Sequence, residues 1–260
     1  MSSSTLPLST SKPTPRISDT PYAIGGMWLR SVKAVRKAAD FFGGYIDTLI
    51  NNGGIAAPYW KEGKAMEDPE TLDQWKAYIE TNLTGPFAAS QACIPYMKRP
   101  KEKDVKEAGP CIIHVSSFRA YVSDLNQEGY ASTKAGELGL TQSMAITCQK
   151  WDIRFNAVLS GRIKVAHERK EGDAKGLKWN VSKEDAEVHP ANIAGMPEDV
   201  ADAVEYLMGA GFVNGHSLVV DGGASKVTDF GQLPVLGSFV WWRLYHLTGS
   251  TGARGWRNAQ

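Results

Sequence analysis

Three side chains in the middle of the chain have the types and spacing needed to move a proton: Ser117, Tyr130 and Lys134. A phenol has a pKa near ~10 and exchanges protons poorly at neutral pH unless a nearby ammonium stabilises its anion. Lys134 can supply that charge, because its i,i+4 spacing from Tyr130 places both side chains on one face of a helix. Ser117 can then hydrogen-bond a substrate carbonyl while Tyr130 passes the proton and a cofactor delivers a hydride.

A strand and a helix are needed to position these groups. Residues 112–115 are apolar and lead into Ser116 and Ser117, which predicts a buried strand with two hydroxyls at its carboxyl end. Open α/β sheets hold ligands at that end. Residues 130–148 contain no proline and predict the helix that carries the Tyr-x-x-x-Lys pair. The pair alone is weak evidence, because an exposed pair without function also arises by chance.

Three further motifs accompany these residues: NNGG at 51–54, TNLTGPF at 81–87 and VDGG at 220–223. In order with the Ser, Tyr and Lys residues, they resemble the classical short-chain dehydrogenase/reductase family over about residues 31–226. The resemblance implies an α/β fold, a Rossmann-type doubly wound parallel sheet flanked by helices. It also implies an oxidoreductase that transfers a hydride between NADP or NAD and a small ketone or secondary alcohol.

The resemblance assigns catalytic roles to single residues. Tyr130 would be the proton donor, Lys134 the partner that favours its anion, and Ser117 the anchor for the carbonyl. Asn82 matches the residue that bends its helix and orders a water linked to the lysine. By propensity alone, an amide in a helix interior is unfavourable and would usually be exposed.

The resemblance also predicts where a cofactor would lie. The segment around Asn52 would pass close to the adenine ribose, with Asn52 in contact with the cofactor. The backbone of Ile163 would meet the nicotinamide carboxamide. Together with Tyr130 and Lys134, these are the candidate cofactor-binding residues. The alternative for Asn52 is a plain hairpin turn made with the glycine that follows it.

One expected motif is missing. The family opens with a strand and a T-G-x-x-x-G-x-G turn that holds the pyrophosphate at a helix N-terminus. The early glycines here are Gly25 and Gly26, and they follow no apolar strand. The sequence therefore predicts a sheet that lacks its first βαβ unit or units, an N-terminally incomplete member of the family. Two hypotheses remain open: an active NADP- or NAD-dependent reductase, and a catalytically weak or inactive relative that acts through oligomerisation or partner binding.

The sequence divides into three parts. Residues 2–20 are rich in Ser, Thr and Pro, which predicts a disordered leader over 1–30. The Rossmann domain is expected at 31–226, and 227–260 form an atypical C-terminal extension. The aromatic run at 239–245 is too short for a membrane span. Its alternatives are an interfacial patch, a partner-binding segment or an extension without function.

Within the domain, strands are predicted at 45–50, 153–159 and 217–220, besides the one that ends at Ser117. Helices are predicted from residue 31 to the glycines at 43–44, at 68–97 and from Pro197 to Met208. Without its usual first-strand partner, strand 45–50 would expose an apolar edge, so a homo-oligomer is expected.

Composition bounds the remaining possibilities. The chain has 260 residues, 42% of them hydrophobic and 22% charged, enough to form one α/β domain with a sizeable core. A net charge of +1 gives no electrostatic reason to expect nucleic acid or an anionic membrane as partner. Cys93, Cys111 and Cys148 form no C-x-x-C motif, and we interpret them as reduced, packed thiols rather than metal ligands. The sequence contains no signal peptide or membrane span, and we expect a cytoplasmic protein with a small-molecule substrate.

Overall fold

The structure, a computed structural model, describes residues 27–98, 107–165 and 181–227. Most of the predicted leader and nearly all of the C-terminal extension lie outside these ranges. The described helices are α1 (Met27–Phe41), α2 (Thr71–Tyr78), α3 (Gly85–Met97), α4 (Glu128–Thr147), α5 (Lys183–Glu187) and α6 (Pro197–Gly209). The described strands are β1 (Thr48–Asn51), β2 (Cys111–Ser117), β3 (Arg154–Ser160) and β4 (Ser217–Val220).

The strands form one parallel sheet in the order β1-β2-β3-β4. Parallel neighbours need crossover connections, and helices fill each of them here. The two central strands are buried on both faces, as their continuous apolar sequences predict. The predicted Rossmann-type parallel sheet flanked by helices is therefore confirmed. The parallel pairing of β1 with β2 also shows that the hairpin alternative at Asn52 was wrong.

Alternate residues of β2 separate the core into two layers. Ile112 packs with Val35 of α1, Met97 of α3 and Met144 of α4 on one face of the sheet. Ile113 points to the other face and packs with α6, whose Leu207 is fully buried. The strand period of two sends neighbouring residues of β2 into opposite layers, and α6 is the one longer described helix on the second face.

The segment predicted as one long helix is interrupted. Residues Ile79–Thr84 form a π-helical turn between α2 and α3. A π-turn inserts an extra residue and rotates every later side chain around the helix axis. The spacing of apolar residues in one unbroken helix predicts that Phe87 and Cys93 are both buried. In the structure Phe87 is 44% exposed, whereas Cys93 is fully buried.

Strand β1 also differs from its prediction. It begins at Thr48, later than the predicted residue 45, and the side chain of Ile50 is 45% exposed. The cause is its place at the edge of the described sheet, where only β2 pairs with it. Ile50 lines an open groove between β1 and the side of α6 that carries Val200, Val204 and Met208.

The ends of two helices follow local rules. Helix α1 begins at Met27, earlier than predicted, and the chain after it contains Gly43 and Gly44 with φ of +74° and +96°. These left-handed conformations favour glycine and end the helix. Helix α6 begins at a proline, and the Asp199 carboxylate accepts a hydrogen bond from the Met196 backbone at 2.7 Å. No helix within the described ranges is long and apolar enough to span a membrane.

Candidate active site

The parallel sheet brings Ser117, Asn52 and Ile163 to the carboxyl ends of its strands. Ser117 ends β2, Asn52 directly follows β1, and Ile163 comes shortly after the end of β3. All carboxyl ends of parallel strands lie on the same side of a sheet, where such folds bind ligands. Ser117, Asn52 and Ile163, far apart in the chain, therefore lie at the same end of the sheet.

Helix α4 presents Tyr130 and Lys134 on one face. The Lys134 ammonium lies 5.8 Å from the centre of the Tyr130 ring. The ring of Tyr78, on α2, meets Tyr130 edge-on with the ring centres 6.5 Å apart. Among the described residues, the Tyr130 hydroxyl makes no hydrogen bond. It is therefore available to a ligand.

The Lys134 ammonium is buried and fully hydrogen-bonded. It donates to the backbone carbonyl of Val115 at 3.1 Å and to both carboxylate oxygens of Glu137, each at 3.1 Å. Burial raises the pKa of Glu137, and the charge of Lys134 beside it partly offsets this. The sequence analysis missed Glu137, although its i,i+3 spacing from Lys134 places it on the same helix face.

Ser117 lies at the end of β2 with little exposure to solvent. Its hydroxyl accepts a hydrogen bond from the backbone N–H of Arg119 at 3.2 Å and donates a long one, 3.5 Å, to the Ser160 carbonyl. The hydroxyl of Ser160 in turn donates to the Ser116 carbonyl at 3.3 Å. The weak donor contact of Ser117 leaves its hydroxyl able to turn toward a substrate oxygen.

Asn82 sits in the π-helical turn and is fully buried, contrary to its propensity. Its carbonyl oxygen accepts from the Ile55 backbone N–H at 2.7 Å, and its amide donates to the Ile55 carbonyl at 3.1 Å. It also reaches the hydroxyl of Thr133, on α4, at 3.5 Å. Asn82 thus ties the loop after β1 to the helix that carries Tyr130.

A second polar chain runs beneath the site. Thr141 donates to the Glu137 carbonyl at 2.7 Å, so its oxygen accepts at 2.8 Å from Nδ1 of His114. Nε2 of His114 then accepts from Ser90 at 3.5 Å, and Asn51 donates to Ser90 at 3.1 Å. Burial, together with the charge of Lys134, lowers the pKa of His114 to about 4. The histidine is therefore a neutral structural link between strands and helices.

The candidate cofactor residues differ in their surroundings. Asn52 is exposed and lines the groove beside α6, whereas Ile163 is half-buried and forms an isolated bridge with Gly195. The described ranges contain no group of three or more His, Cys, Asp or Glu residues placed to hold a metal ion.

The class of protein is defined by a Rossmann-type parallel sheet with Ser117 at the carboxyl end of β2 and with Tyr130 and Lys134 on the helix that follows this strand. A family model described as Enoyl-(Acyl carrier protein) reductase matches residues 30–225. An uncharacterized oxidoreductase of Thermotoga maritima is 33% identical over 192 residues, covering 73% of this chain and 69% of that protein. An L-rhamnose 1-dehydrogenase (NAD(P)(+)) of Azotobacter vinelandii is 36% identical over 194 residues, covering 74% of this chain and 69% of that protein.

Solved structures agree with the sequence relatives. The structure of ElxO with NADP bound has a TM-score of 0.62 and 26% identity, covering 79% of this chain and 78% of that chain. The chain belongs to the short-chain dehydrogenase/reductase family, as the resemblance predicted. Its relatives are oxidoreductases, which supports an enzyme of that general class.

Proposed function

We propose that the chain transfers a hydride between NADP or NAD and a small ketone or secondary alcohol. The observation that carries this proposal is the open hydroxyl of Tyr130, held beside the buried Lys134 ammonium at the ligand-binding edge of the sheet. A proton donor there is suited to a carbonyl oxygen, and the family's relatives act on alcohols and sugars by name.

In the direction of reduction, Ser117 donates a hydrogen bond to the substrate oxygen and fixes its position. When bound, the nicotinamide supplies the hydride to the carbonyl carbon. The C=O bond becomes a C–O single bond as the Tyr130 hydroxyl gives its proton to the oxygen. Lys134 stabilises the phenolate that remains, and Asn82 holds the adjoining loop against α4.

The cofactor would lie against Asn52, Tyr130, Lys134 and Ile163. The names of two similar proteins support a nicotinamide cofactor: one is an NAD(P)(+) dehydrogenase and the other was solved with NADP. The sequence carries no glycine-rich phosphate turn, so several charge-assisted contacts to pyrophosphate, each worth ~1.5 to 3 kcal/mol, are not accounted for. We therefore expect weak binding. Isothermal titration with NADPH and NADH measures it, and a micromolar Kd for either would contradict this expectation.

Replacing Tyr130 by Phe tests the mechanism. The variant lacks only the acidic proton, so we expect turnover to fall by roughly 10²- to 10⁴-fold with the fold intact. Tyr121→Phe is the matched control, because Tyr121 is 56% exposed and outside the proposed mechanism. A Tyr130→Phe variant with the wild-type rate would remove Tyr130 from the mechanism.

A second candidate function is favoured by the exposed apolar surface. Phe87 of α3 and Leu140 of α4 line a shallow depression on the outer face of these helices. A catalytically weak family member that acts by self-association or partner binding would use such a surface. The absence of nucleotide binding in the titration above, with self-association retained, would favour this alternative.

The proposal extends to the substrate class, the assembly, the location and the domain division of the protein. We infer a small-molecule carbonyl or alcohol substrate, assembly as a homo-oligomer and a cytoplasmic location. We retain the division into a leader, a Rossmann domain at 31–226 and an extension at 227–260, with the domain's described helices beginning at Met27. Limited proteolysis followed by mass spectrometry tests this division: a stable fragment that differs greatly from residues 27–226 would contradict it.

A further inference from the structure

We propose that Glu137 is a positioning residue that compensates the charge of Lys134, so that proton transfer at Tyr130 runs at a higher pH than Lys134 alone would set. The inference deepens the proposed function and rests on it. Glu137 touches neither the proposed substrate position nor Tyr130 in the hydrogen bonds of the described residues. Its effect would pass through Lys134.

The hydrogen bonds of Lys134 use all of its N–H donors. An ammonium has three N–H donors. Here the described partners are the Val115 carbonyl and the two carboxylate oxygens of Glu137, each 3.1 Å from Nζ. No donor is left for a cofactor hydroxyl or a water unless one of these contacts opens. Glu137 therefore decides how much of the lysine is available to the site.

The pair is shielded from solvent, which makes its charges effective over the distance to Tyr130. The side chains of Lys134 and Glu137 are 8% and 3% exposed. A carboxylate in contact with the ammonium cancels much of the field that would otherwise favour a phenolate beside Lys134. The two opposite charges act on the phenol as a dipole rather than as a single positive charge.

The other titratable groups around the pair do not replace this effect. His114 of β2 faces it, and its buried imidazole is neutral, since burial and Lys134 lower its pKa to about 4. Tyr78 of α2 lies beyond Tyr130, and burial raises its pKa. Arg154 of β3 is directed to the carbonyls at the end of α6. Glu137 is thus the acidic group in contact with Lys134 among the described residues.

Glu137→Gln removes the negative charge and keeps an oxygen that can accept from Lys134. The ionisation of Tyr130 is followed by phenolate absorbance, as the difference between each protein and its Tyr130→Phe counterpart. We expect the midpoint of ionisation to fall by about one pH unit in Glu137→Gln. The pH at which alcohol oxidation is half-maximal should fall in parallel. An unchanged ionisation midpoint in a folded variant would overturn the proposal.

A double variant covers the case in which Glu137→Gln does not fold. Lys134→Met with Glu137→Leu replaces both charges by apolar groups, an exchange that buried ion pairs often tolerate. Because Glu137 cancels most of the charge of Lys134, the double variant loses only the stabilisation of the phenolate that remains, and we expect the Tyr130 midpoint to rise by less than about one pH unit. A rise of more than about one unit would show that Lys134 acts uncompensated and would refute the role of Glu137.

The absorbance titration does not depend on turnover, so it tests the role of Glu137 independently of the proposed hydride transfer. A wild-type protein without any nicotinamide-dependent activity would contradict the proposed function. The titration would still decide whether Glu137 sets the ionisation of Tyr130. A merely structural role for Glu137 would change stability in circular dichroism melts and leave the midpoint in place.

Discussion

A β carbon added at Gly54 would lie 2.9 Å from Oδ1 of Asn82. The loop after β1 and the π-helical turn thus meet at a point where only a glycine fits without movement. The same oxygen of Asn82 accepts from the Ile55 backbone at 2.7 Å, so the close approach and the hydrogen bond depend on each other.

Gly54→Ala should therefore destabilise the protein. The added methyl group pushes against the buried amide of Asn82, and we expect the free energy of unfolding to fall by about 1 to 3 kcal/mol. Gly53→Ala is the matched control, because a β carbon there meets nothing within 4 Å and its φ is not positive. We expect that variant to be neutral or slightly more stable in urea denaturation. Equal stability of the two variants would contradict the packing argument.

Arg154 should contribute strongly to stability, because it connects β3 to the C-terminal end of α6. Its guanidinium is buried and donates to the carbonyls of Leu207 and Met208 at 2.8 Å and of Ala210 at 3.1 Å. Arg154→Met leaves these buried acceptors at the helix end without partners, so we expect a loss of about 3 kcal/mol or more. Arg162→Met, at an exposed position, should change stability by less than about 0.5 kcal/mol. Chemical denaturation compares the two.

His114 should make stability depend on pH. Its pKa is about 4 in the folded protein against 6.5 for an unperturbed histidine, so the unfolded chain binds a proton first as pH falls. The stability contributed by the neutral imidazole is fully present above pH 6.5 and is lost between pH 6.5 and 4. The expected loss is about 3 kcal/mol.

Denaturation at a series of pH values tests this dependence. Carboxylates also titrate in this range, so His114→Asn provides the reference: its amide can donate to Thr141 and carries no proton-binding site. As pH falls from 6.5 to 4, the free energy of unfolding of the wild type should decrease relative to that of His114→Asn. A difference that stays constant over this range would show that His114 does not titrate as described.

Phe87 should contribute to self-association. It is 44% exposed and lies beside Leu140 on the outer face of α3 and α4. We expect the wild-type chain to be oligomeric, and Phe87→Glu to lower its mass in size-exclusion chromatography with light scattering. Phe212→Glu changes a fully exposed side chain after α6 and should have no effect. A monodisperse, stable wild-type monomer would contradict the expectation.

The central part of the fold follows from the sequence because local patterns and tertiary packing agree there. Strand β2 was predicted from its apolar run and α4 from its helical pattern, and both lie where predicted. Because β2 is buried on both faces, nearly all its residues lie in the core, and a continuous apolar run is the pattern that such a strand shows. Motif spacing predicted a common site for Ser117, Tyr130 and Lys134, a relation that composition alone cannot give.

Other features depend on contacts that a single sequence does not display. The π-helical turn shifted the buried face of α3, so the regular period failed at Phe87. The exposure of Ile50 depends on what pairs with β1 rather than on its own apolar sequence. Glu137 has an ordinary surface residue type, and only the position of Lys134 explains its burial.

The three cysteines give the two layers of the core separate chemical reporters. Cys93 and Cys148 pack between the sheet and the layer of α1, α3 and α4, whereas Cys111 packs on the α6 side. Burial raises the pKa of Cys93 to about 12 and also raises those of the other two thiols. Because only an accessible thiolate reacts with alkylating reagents, each cysteine is modified when its own layer opens. The rates of alkylation at Cys93 and Cys111 therefore compare how often each side of the sheet is transiently uncovered.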